Sequence, residues 1–533
     1  MYWQVLLFIV ILLLIRLSGI FNLYFFEEDE VTIATGVASL VLDNIGDLYR
    51  YTPQLGYYRL VQFINLVSGG DVSLIPIQMK VLSALMGVLI PCLGLFLFRE
   101  IISTRTRWLV ALVLAANPIL WKSSQYGNSA VVSTALVCFS MVLLSNRPGR
   151  RVEFLSLALF CAAVIVRADS VVLMPLVAWL LYRNHLSVRS ALMVSLGTVL
   201  GLLLLYTTIF LLDSRLDNVL TGVSKHFNLS RPSMFWEYLL WAISPLPLFL
   251  AVIGVRKLLE FNSTLLPAIL LWLLLPLGFY FISTTTPRYF LLVSMPFAVG
   301  TAIGMVDVAQ RLASITRPVL AWTGVTAAAF IHLVVGVGHM QSDWLASPLY
   351  APRIRTDDGW MPTGALVYDT HLRGGFLHQS FLNPGFGKLG IPHWEGVAFE
   401  DALEVLLNDE RAENTVLILL DSGFAPAFHF HLQVAGAEYI SREPTVPWLP
   451  FRSETWLRLG SARIMTIFKK YQKYADMEQF DVQDGDEIWL MGDDPFPLAS
   501  DLEKLPGGLS LVATDSFNEK FRTFRVVERS NRD

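Results

Sequence analysis

Long apolar segments separated by short polar loops make up most of the first 340 residues of the chain. A helix that crosses a bilayer needs about 20 apolar residues, and shorter apolar cores can extend into their flanks. The segment 190–212 is the clearest, since it contains no charged residue. The pattern predicts eleven membrane spans: 3–22, 77–98, 108–121, 129–145, 152–166, 171–182, 190–212, 237–255, 264–282, 289–306 and 318–338.

Cations collect in the loops that follow every second span. By the positive-inside rule, such loops are cytoplasmic. The N-terminus is then cytoplasmic, and the loop after the first span lies on the outer side together with everything after residue 340. We expect an integral protein of a bacterial inner membrane with a periplasmic C-terminal domain. The cation-rich loops are 99–107, 146–151, 183–189, 256–263 and 307–317.

Residues 22–76 are too polar to cross a membrane. Within them, 31–42 and 55–67 carry apolar residues at helical spacing, which predicts two amphipathic helices lying in the membrane interface. The run Glu27-Glu28-Asp29-Glu30 precedes the first of these helices and directly follows the first span. We therefore expect an acidic loop at the water–lipid boundary, framed by two interfacial helices.

The character of the chain changes after residue 339. Residues 340–533 have the composition of a soluble protein, and short apolar runs alternate there with helical patterns. This alternation predicts a small α/β or α+β domain. The predicted organisation is a polytopic helical membrane domain over 1–339, which carries the catalytic residues, and a soluble non-cytoplasmic domain over 340–533.

Composition supports a membrane protein and excludes nucleic acid as a partner. The chain is 54% hydrophobic and 16% charged, whereas soluble chains average about 25% charged residues. Its net charge of −4 provides no basic surface for nucleic acid. The three cysteines lie in apolar segments, so no disulfide framework is visible.

Ionisable residues recur at the predicted outer ends of the spans. Arg16 lies in the first span, Arg167 and Asp169 lie between the fifth and sixth, and Arg288 follows the last short outer loop. Each arginine can extend its charge to the interface. Because ionisable residues within a membrane are costly, several cations close to an acid cluster are better explained by an anionic ligand.

Four short segments resemble GT-C glycosyltransferases. Residues 25–40 (FFEEDEVTIATGVASL) are similar to the first outer loop of those enzymes, in which an acidic motif precedes an amphipathic helix. Residues 51–63 (YTPQLGYYRLVQF), 166–175 (VRADSVVLMP) and 286–296 (TPRYFLLVSMP) resemble three further family segments in the same order. In layout the chain is most similar to the protein O-mannosyltransferases and the lipid A aminoarabinose transferase.

The resemblance implies a transferase that moves a sugar from a polyprenyl-phosphate donor to an acceptor hydroxyl on the outer face, with inversion at the anomeric carbon. A lipid, glycan or protein supplies the acceptor, and membrane lipids surround the enzyme. A carboxylate that acts as general base contributes about 10²–10⁴-fold. Asp29 best matches the catalytic Asp of the family, with Glu30 and Glu28 as its neighbours in the motif.

The leaving group in such a transfer is a lipid phosphate, whose growing negative charge needs a fixed cation. Arginine suits this task because its planar guanidinium contacts two phosphate oxygens at once. Arg288 with Tyr289 is the first candidate and Arg167 the second. Lys225 and His226, in the long predicted outer loop, are further candidates for binding the lipid phosphate.

The sequence favours an enzyme without a metal cofactor. Residues 121–132 (WKSSQYGNSAVV) contain no acid, where many GT-C relatives carry one or two. A divalent cation usually needs several oxygen ligands, although the run from Glu27 to Glu30 alone offers enough carboxylates for Mg²⁺ or Mn²⁺. Five histidines in the C-terminal domain match no metal motif, so we expect ordinary surface histidines in a lid or docking domain.

Two other functions remain open at this stage. A transporter or flippase of lipid-linked saccharides usually shows internal repeats and charges near the bilayer midplane. No repeat is visible here, and the charges collect at one side. A polysaccharide polymerase or ligase is chemically closer, because it differs only in transferring a whole lipid-linked glycan.

Overall fold

Helices form at every segment that the apolar pattern predicts as a span. The helices up to residue 335 are α1 (Tyr2–Leu17), α2 (Glu28–Leu42), α3 (Leu55–Val67), α4 (Ile75–Gly94), α5 (Thr104–Ala115), α6 (Pro118–Ser123), α7 (Ser129–Ser145), α8 (Arg150–Val166), α9 (Met174–Arg183), α10 (Val188–Leu212), α11 (Pro245–Phe261), α12 (Leu265–Ile282), α13 (Leu291–Ala313) and α14 (Pro318–Val335). Short 3₁₀ turns occupy Val72–Leu74, Ala168–Leu173 and Pro287–Phe290. The interfacial helices predicted over 31–42 and 55–67 correspond to α2 and α3.

This computed structural model describes part of the chain in detail. The two compact units of the chain are Met1–Phe21, Pro53–Tyr57 and Met79–Lys388 (unit 1), and Asn22–Thr52, Tyr58–Gln78 and Leu389–Asp533 (unit 2). The described residues are 2–17, 23–25, 28–42, 54–124, 127–146, 149–184, 187–212, 235–236, 239, 243, 245–261, 265–283, 287–335, 353–356, 359–362, 391–408, 415–420, 425–442, 455–460, 462–468, 484–491, 509–514 and 521–528.

Four helical stretches among the described residues are long and apolar enough to cross a membrane. They are Val72–Gly94, Val188–Thr208, Leu265–Ile282 and Arg288–Ala313. Shorter apolar helices accompany them, including Ser129–Ser145. The chain is therefore a polytopic helical membrane protein, and the number of eleven spans stays a prediction.

The helices α11 and α13 of unit 1 approach each other closely because glycines face the contact. A Cβ at Gly304 would overlap the carbonyl oxygen of Leu250, and a Cβ at Gly254 would overlap that of Gly300. Gly300 and Gly304 form the small-xxx-small spacing that lets helix backbones approach in membranes. The Thr301 hydroxyl donates to the carbonyl oxygen of Pro247 at 2.9 Å, which links the two helices beside the glycines.

A seven-stranded mixed sheet forms the C-terminal part of unit 2. Its order is β10-β11-β9-β5-β8-β7-β6, with parallel pairs at the centre and antiparallel pairs towards both edges. The central strand β5 has the sequence TVLILL, the continuous apolar run that is typical of a strand covered on both faces. The strands of the chain are β1 (Leu23–Phe25), β2 (Arg353–Thr356), β3 (Gly359–Pro362), β4 (Ile391–Pro392), β5 (Thr415–Leu420), β6 (Glu438–Arg442), β7 (Thr455–Leu459), β8 (Ala462–Phe468), β9 (Glu487–Met491), β10 (Leu509–Ala513) and β11 (Phe521–Glu528).

Unit 2 also contains the segment that follows the first predicted span. Strand β1 pairs antiparallel with β4, and α2 packs against α16 (Ala425–Val434), which follows α15 (His393–Asn408) in the sequence. Residues 22–52 and 58–78 thus fold with the C-terminal residues. The hydrophobic pattern does not predict this association, and the domain boundary between residues 339 and 340 stays a prediction.

Replacing Gly304 by Ala should destabilise the pair α11–α13, because the new methyl group overlaps the backbone at Leu250. We expect a loss of about 1–3 kcal/mol, measured as a lower apparent melting temperature of the full-length protein in detergent. Gly201→Ala in α10 is the matched control, since its methyl group would meet nothing within 4 Å. Equal melting temperatures of the two variants would contradict the close packing.

Candidate active site

An ion pair between Arg167 and Asp169 lies at the centre of the candidate site in unit 1. Arg167 has an extended backbone after α8, and the 3₁₀ turn that follows brings the side chain of Asp169 back towards it. The Arg167 Nε donates to both carboxylate oxygens, at 3.0 Å to Oδ1 and 2.9 Å to Oδ2. The two side chains are only 10% and 16% exposed, so this pair is shielded from water.

Two tyrosines enclose this ion pair. The Tyr280 hydroxyl donates to Asp169 Oδ2 at 3.2 Å, and the Arg167 Cζ lies 4.4 Å from the centroid of the Tyr289 ring. Arg288 contacts the same ring, with its Cζ at 5.9 Å from the centroid. The structure therefore brings together Arg167, Arg288 and Tyr289, which the sequence predicts as phosphate-binding residues. Within this group, the guanidiniums of Arg167 and Arg288 both lie beside the ring of Tyr289.

Ser129, the first residue of α7, contacts the Arg167 guanidinium and is itself bonded to Gln54, just before α3. The Arg167 Nη1 lies 3.5 Å from the Ser129 hydroxyl, which donates to Gln54 Oε1 at 2.8 Å. The hydroxyl groups of Ser133 and Ser170 lie 2.6 Å apart in a further hydrogen bond. The contacts with Asp169 and Ser129 hold the Arg167 guanidinium from two sides.

Two further cations are buried in the helices of unit 1. The Arg16 Nη1 donates to the carbonyl oxygen of Leu120 at 3.0 Å and to the Ser124 hydroxyl, and its Cζ lies 5.0 Å from the Trp121 ring. Arg16 thus binds α6, where its charge meets the carbonyl end of a short helix. Lys80 in α4 is 2% exposed. Lys80 is not among the residues predicted above, although a lysine inside an apolar span is the signal that could have found it.

The acidic motif belongs to unit 2 and begins a helix. We expected a loop, but Glu28, Asp29 and Glu30 form the first turn of α2. The partial positive charge at the start of a helix stabilises carboxylates, which explains why an acidic run can begin one. Glu30 is fully buried. Glu27 and the side chains of Glu28 and Asp29 lie outside the described residues, so their predicted roles stay predictions.

The C-terminal domain supports the helix that carries the acids. Gln433 Nε2 on α16 donates to the Ser39 hydroxyl on α2 at 2.6 Å, and the Ser39 hydroxyl donates to the carbonyl oxygen of Thr35 at 3.0 Å. Ser39 and Gln433 are both about 1% exposed. A buried hydrogen bond between neutral side chains contributes about 1 kcal/mol, and breaking it on one side costs more. The position of α2 therefore depends on α16.

The structure describes only some of the remaining predicted residues. Lys225 and His226 lie outside the described residues, as do His371 and His378. His429 and His431 on α16 are 3% and 5% exposed, so the expectation of surface histidines is wrong for them. Among the described residues, no three His, Cys, Asp or Glu side chains are placed to hold a metal ion. Metal dependence stays untested, because the structure does not describe the side chains at 27–29.

Replacing Asp169 by Asn should destabilise unit 1, because it leaves the charge of Arg167 buried without its counter-ion. Removing one partner of a buried pair costs about 3–5 kcal/mol, which we expect as a large drop in the apparent melting temperature. Glu260→Gln is the matched control, since its pair with Lys257 is half exposed and is worth at most about 1 kcal/mol. A drop no larger than that of the control would contradict the assigned role of Asp169.

Acidification should destabilise unit 2 through His431, because burial lowers the pKa of this side chain from 6.5 to about 4. The folded state holds the neutral imidazole, so its stability is complete above pH 6.5 and falls by about 3 kcal/mol as the pH drops to 4. His431→Phe keeps a ring beside Phe399, whose centroid lies 5.3 Å away. We expect this variant to lose less stability than the wild type between pH 6.5 and 4.5, measured by hydrogen exchange of the β8 peptide corrected for intrinsic rates. Parallel pH profiles would contradict the prediction.

The chain is similar in structure to several solved proteins. No family model matches the sequence, and no curated protein sequence matches it. ArnT from Cupriavidus metallidurans bound to undecaprenyl phosphate has a TM-score of 0.54 and 11% sequence identity, with 98% of this chain and 97% of ArnT covered. Its apo state has a TM-score of 0.54 and 14% identity, with 98% of each chain covered.

A weaker likeness exists to an archaeal oligosaccharyltransferase. AglB from Archaeoglobus fulgidus, in complex with an inhibitory peptide and a dolichol-phosphate, has a TM-score of 0.46 and 12% identity, with 81% of this chain and 64% of AglB covered. At the identities of these structures, the likeness to ArnT is one of fold. The predicted similarity to the GT-C glycosyltransferases is confirmed at that level: the chain has the fold of ArnT over nearly its whole length.

Proposed function

We propose that this protein is an inverting glycosyltransferase that moves a sugar from a polyprenyl-phosphate donor to an acceptor hydroxyl. The observation that carries the proposal is the placement of the Arg167 and Arg288 guanidiniums beside the ring of Tyr289, in a fold that binds undecaprenyl phosphate in ArnT. Transfer takes place on the outer, periplasmic face of a bacterial inner membrane. The acceptor is a lipid, glycan or protein.

The reaction is a direct displacement at the anomeric carbon. The acceptor oxygen attacks this carbon from the face opposite to the phosphate, and its proton passes to a carboxylate. The bond between the anomeric carbon and the phosphate oxygen breaks, and its electron pair stays on the lipid phosphate. One displacement inverts the anomeric configuration, and the released products are the glycosylated acceptor and the polyprenyl phosphate.

Arg288 is the cation best suited to the departing phosphate. Arg167 already forms a bifurcated hydrogen bond with Asp169 and contacts the Ser129 hydroxyl. Its charge is balanced within the protein, so its main task is to orient Tyr289. Arg288 lies in the 3₁₀ turn before α13 and is partly exposed. Lys80, another buried cation of unit 1, is a further candidate for phosphate contact.

Asp29 is the proposed general base. It lies in the first turn of α2 between Glu28 and Glu30. Glu30 is fully buried, which favours a role in holding the motif rather than in accepting the acceptor's proton. The start of α2 supplies a partial positive charge that keeps nearby carboxylates ionised, as a base requires. Glu28 is the alternative candidate for the general base.

Replacing Asp29 by Asn should abolish transfer, because the amide keeps the shape of the side chain but cannot accept the proton. We expect a fall in kcat of about 10²–10⁴-fold, measured in proteoliposomes with a panel of undecaprenyl-phosphate-linked sugars and the membrane acceptors of the host. Glu400→Gln, at an exposed position of α15, is the charge-matched control and should keep full activity. Full activity of the Asp29 variant would refute the assignment of the base.

Replacing Arg288 by Met should weaken the binding of undecaprenyl phosphate, because it removes a charge-assisted hydrogen bond worth about 1.5–3 kcal/mol. We expect a loss of affinity of about ten- to a hundredfold, measured by native mass spectrometry of the purified protein. Undecaprenol lacks the phosphate and should bind both proteins equally. If the variant binds the phosphorylated lipid as tightly as the wild type does, Arg288 is not the phosphate ligand.

A further inference from the structure

Arg16 is a buried cation of unit 1 that the proposed function does not use. It lies in the last turn of α1 and is fully buried. One turn earlier on the same helix, Leu12 packs in an apolar cluster with Val88 and Cys92 of α4, so this face of α1 lies inside the helical unit. A charged side chain within a membrane helix is costly, and such residues usually serve the function of the protein.

The partners of Arg16 are neutral oxygens at the end of α6. Its Nη1 donates to the carbonyl oxygen of Leu120 at 3.0 Å and to the Ser124 hydroxyl. Among the residues that the structure describes, no carboxylate pairs with Arg16, and its Nε and Nη2 atoms have no hydrogen-bond partner. The carbonyl end of α6 balances only part of the charge. Arg16 therefore lacks the full counter-charge that Asp169 gives to Arg167.

The two oxygens that Arg16 contacts also have other hydrogen-bond partners. The carbonyl oxygen of Leu120 accepts from the Ser124 amide at 3.1 Å, and the Ser124 hydroxyl donates to the carbonyl oxygen of Trp121 at 2.7 Å. Replacing a buried ion by an apolar side chain of similar volume is often neutral or stabilising. The fold itself therefore does not require the charge of Arg16.

The helix that Arg16 binds packs against the turn that carries the proposed phosphate ligand. Helix α6 contacts the 3₁₀ turn before α13, which contains Arg288 and Tyr289, and it also contacts α13 itself. A helix of six residues depends on such contacts for its position. Helix α4 approaches the same place closely, because a Cβ at Gly87 would overlap Ser124 and lie 3.3 Å from Arg16 Nη1.

We infer that Arg16 is a positioning residue for the lipid phosphate. By holding the end of α6, it keeps this helix against the turn before α13 and thereby fixes the direction of the Arg288 guanidinium. The inference rests on the proposed function, which assigns Arg288 to the phosphate. Arg16 itself does not touch the ligand, because its guanidinium is fully enclosed by protein.

A double-mutant cycle with Arg16 and Arg288 in the full-length protein tests the inference. Arg16→Met should weaken the binding of undecaprenyl phosphate about tenfold, measured by native mass spectrometry, whereas undecaprenol should bind as it does to the wild type. The melting temperature of this variant should be no lower than that of the wild type. In the Arg288→Met background, Arg16→Met should change the affinity by less than about twofold, because its effect passes through Arg288.

Two further variants separate the position of α6 from charge in general. Arg16→Lys keeps a cation with three donors for Leu120 and Ser124, and it should restore the affinity to within about threefold of the wild type. Arg105→Met is the matched control. The Arg105 guanidinium also stacks on an indole, with its Cζ 3.4 Å from the centroid of the Trp322 ring, but it lies at the exposed start of α5. This variant should leave the affinity unchanged.

Several results would overturn the inference. Wild-type affinity in Arg16→Met, together with a loss in Arg288→Met, would refute the positioning role and leave the proposed function intact. A loss of the same size in the Arg288→Met background would show that Arg16 acts independently of Arg288. A large drop in the melting temperature of Arg16→Met would assign Arg16 to the stability of the fold.

The remaining variants are equally decisive. An equal loss of affinity in Arg16→Lys or in Arg105→Met would contradict a role of the contacts with α6. Wild-type affinity in Arg288→Met would refute the proposed phosphate ligand itself, and the positioning role of Arg16 with it.

Discussion

The Arg167 guanidinium is buried among apolar helices and therefore needs a counter-ion. This requirement constrains the structure of unit 1. Moving such a charge out of water costs several kcal/mol unless it is paired and hydrogen-bonded. Asp169 supplies the charge, and Tyr280 donates a hydrogen bond to the same carboxylate. The pair thereby connects the end of α8, the 3₁₀ turn after it and α12. Arg288 lies beside the same Tyr289 ring as Arg167, and it is the cation that we propose for the lipid phosphate.

The position of the acidic motif depends on a different set of contacts. Strand β1 precedes the acidic motif and pairs with β4, and α2, which begins with the motif, packs on α16 through the buried bond from Gln433 to Ser39. Both contacts join the N-terminal segment to the C-terminal domain within one unit. The C-terminal domain therefore has a structural task, namely to support the helix that carries Asp29. This task differs from the role of a lid or docking domain that the sequence suggests.

The sequence predicts local structure well here and distant contacts poorly. Apolar segments of the right length predict the positions of α4, α10 and α12 because the bilayer dictates both length and composition. The resemblance in short motifs predicts Arg167 and Arg288 as candidate phosphate ligands, and both lie beside the ring of Tyr289. Periodicity cannot predict a contact such as Ser39 with Gln433, which lie 394 residues apart. It also cannot distinguish a surface histidine from a buried one such as His431, whose environment comes from the packing of α16.

The central claim is that Arg288 and its neighbours receive the phosphate of a polyprenyl-phosphate sugar donor. A structure of the protein with bound undecaprenyl phosphate, determined by electron cryomicroscopy in a lipid nanodisc, tests this claim most directly. We predict phosphate density within about 3 Å of the Arg288 guanidinium, with the ion pair of Arg167 and Asp169 unchanged. Phosphate density away from both arginines would contradict the account.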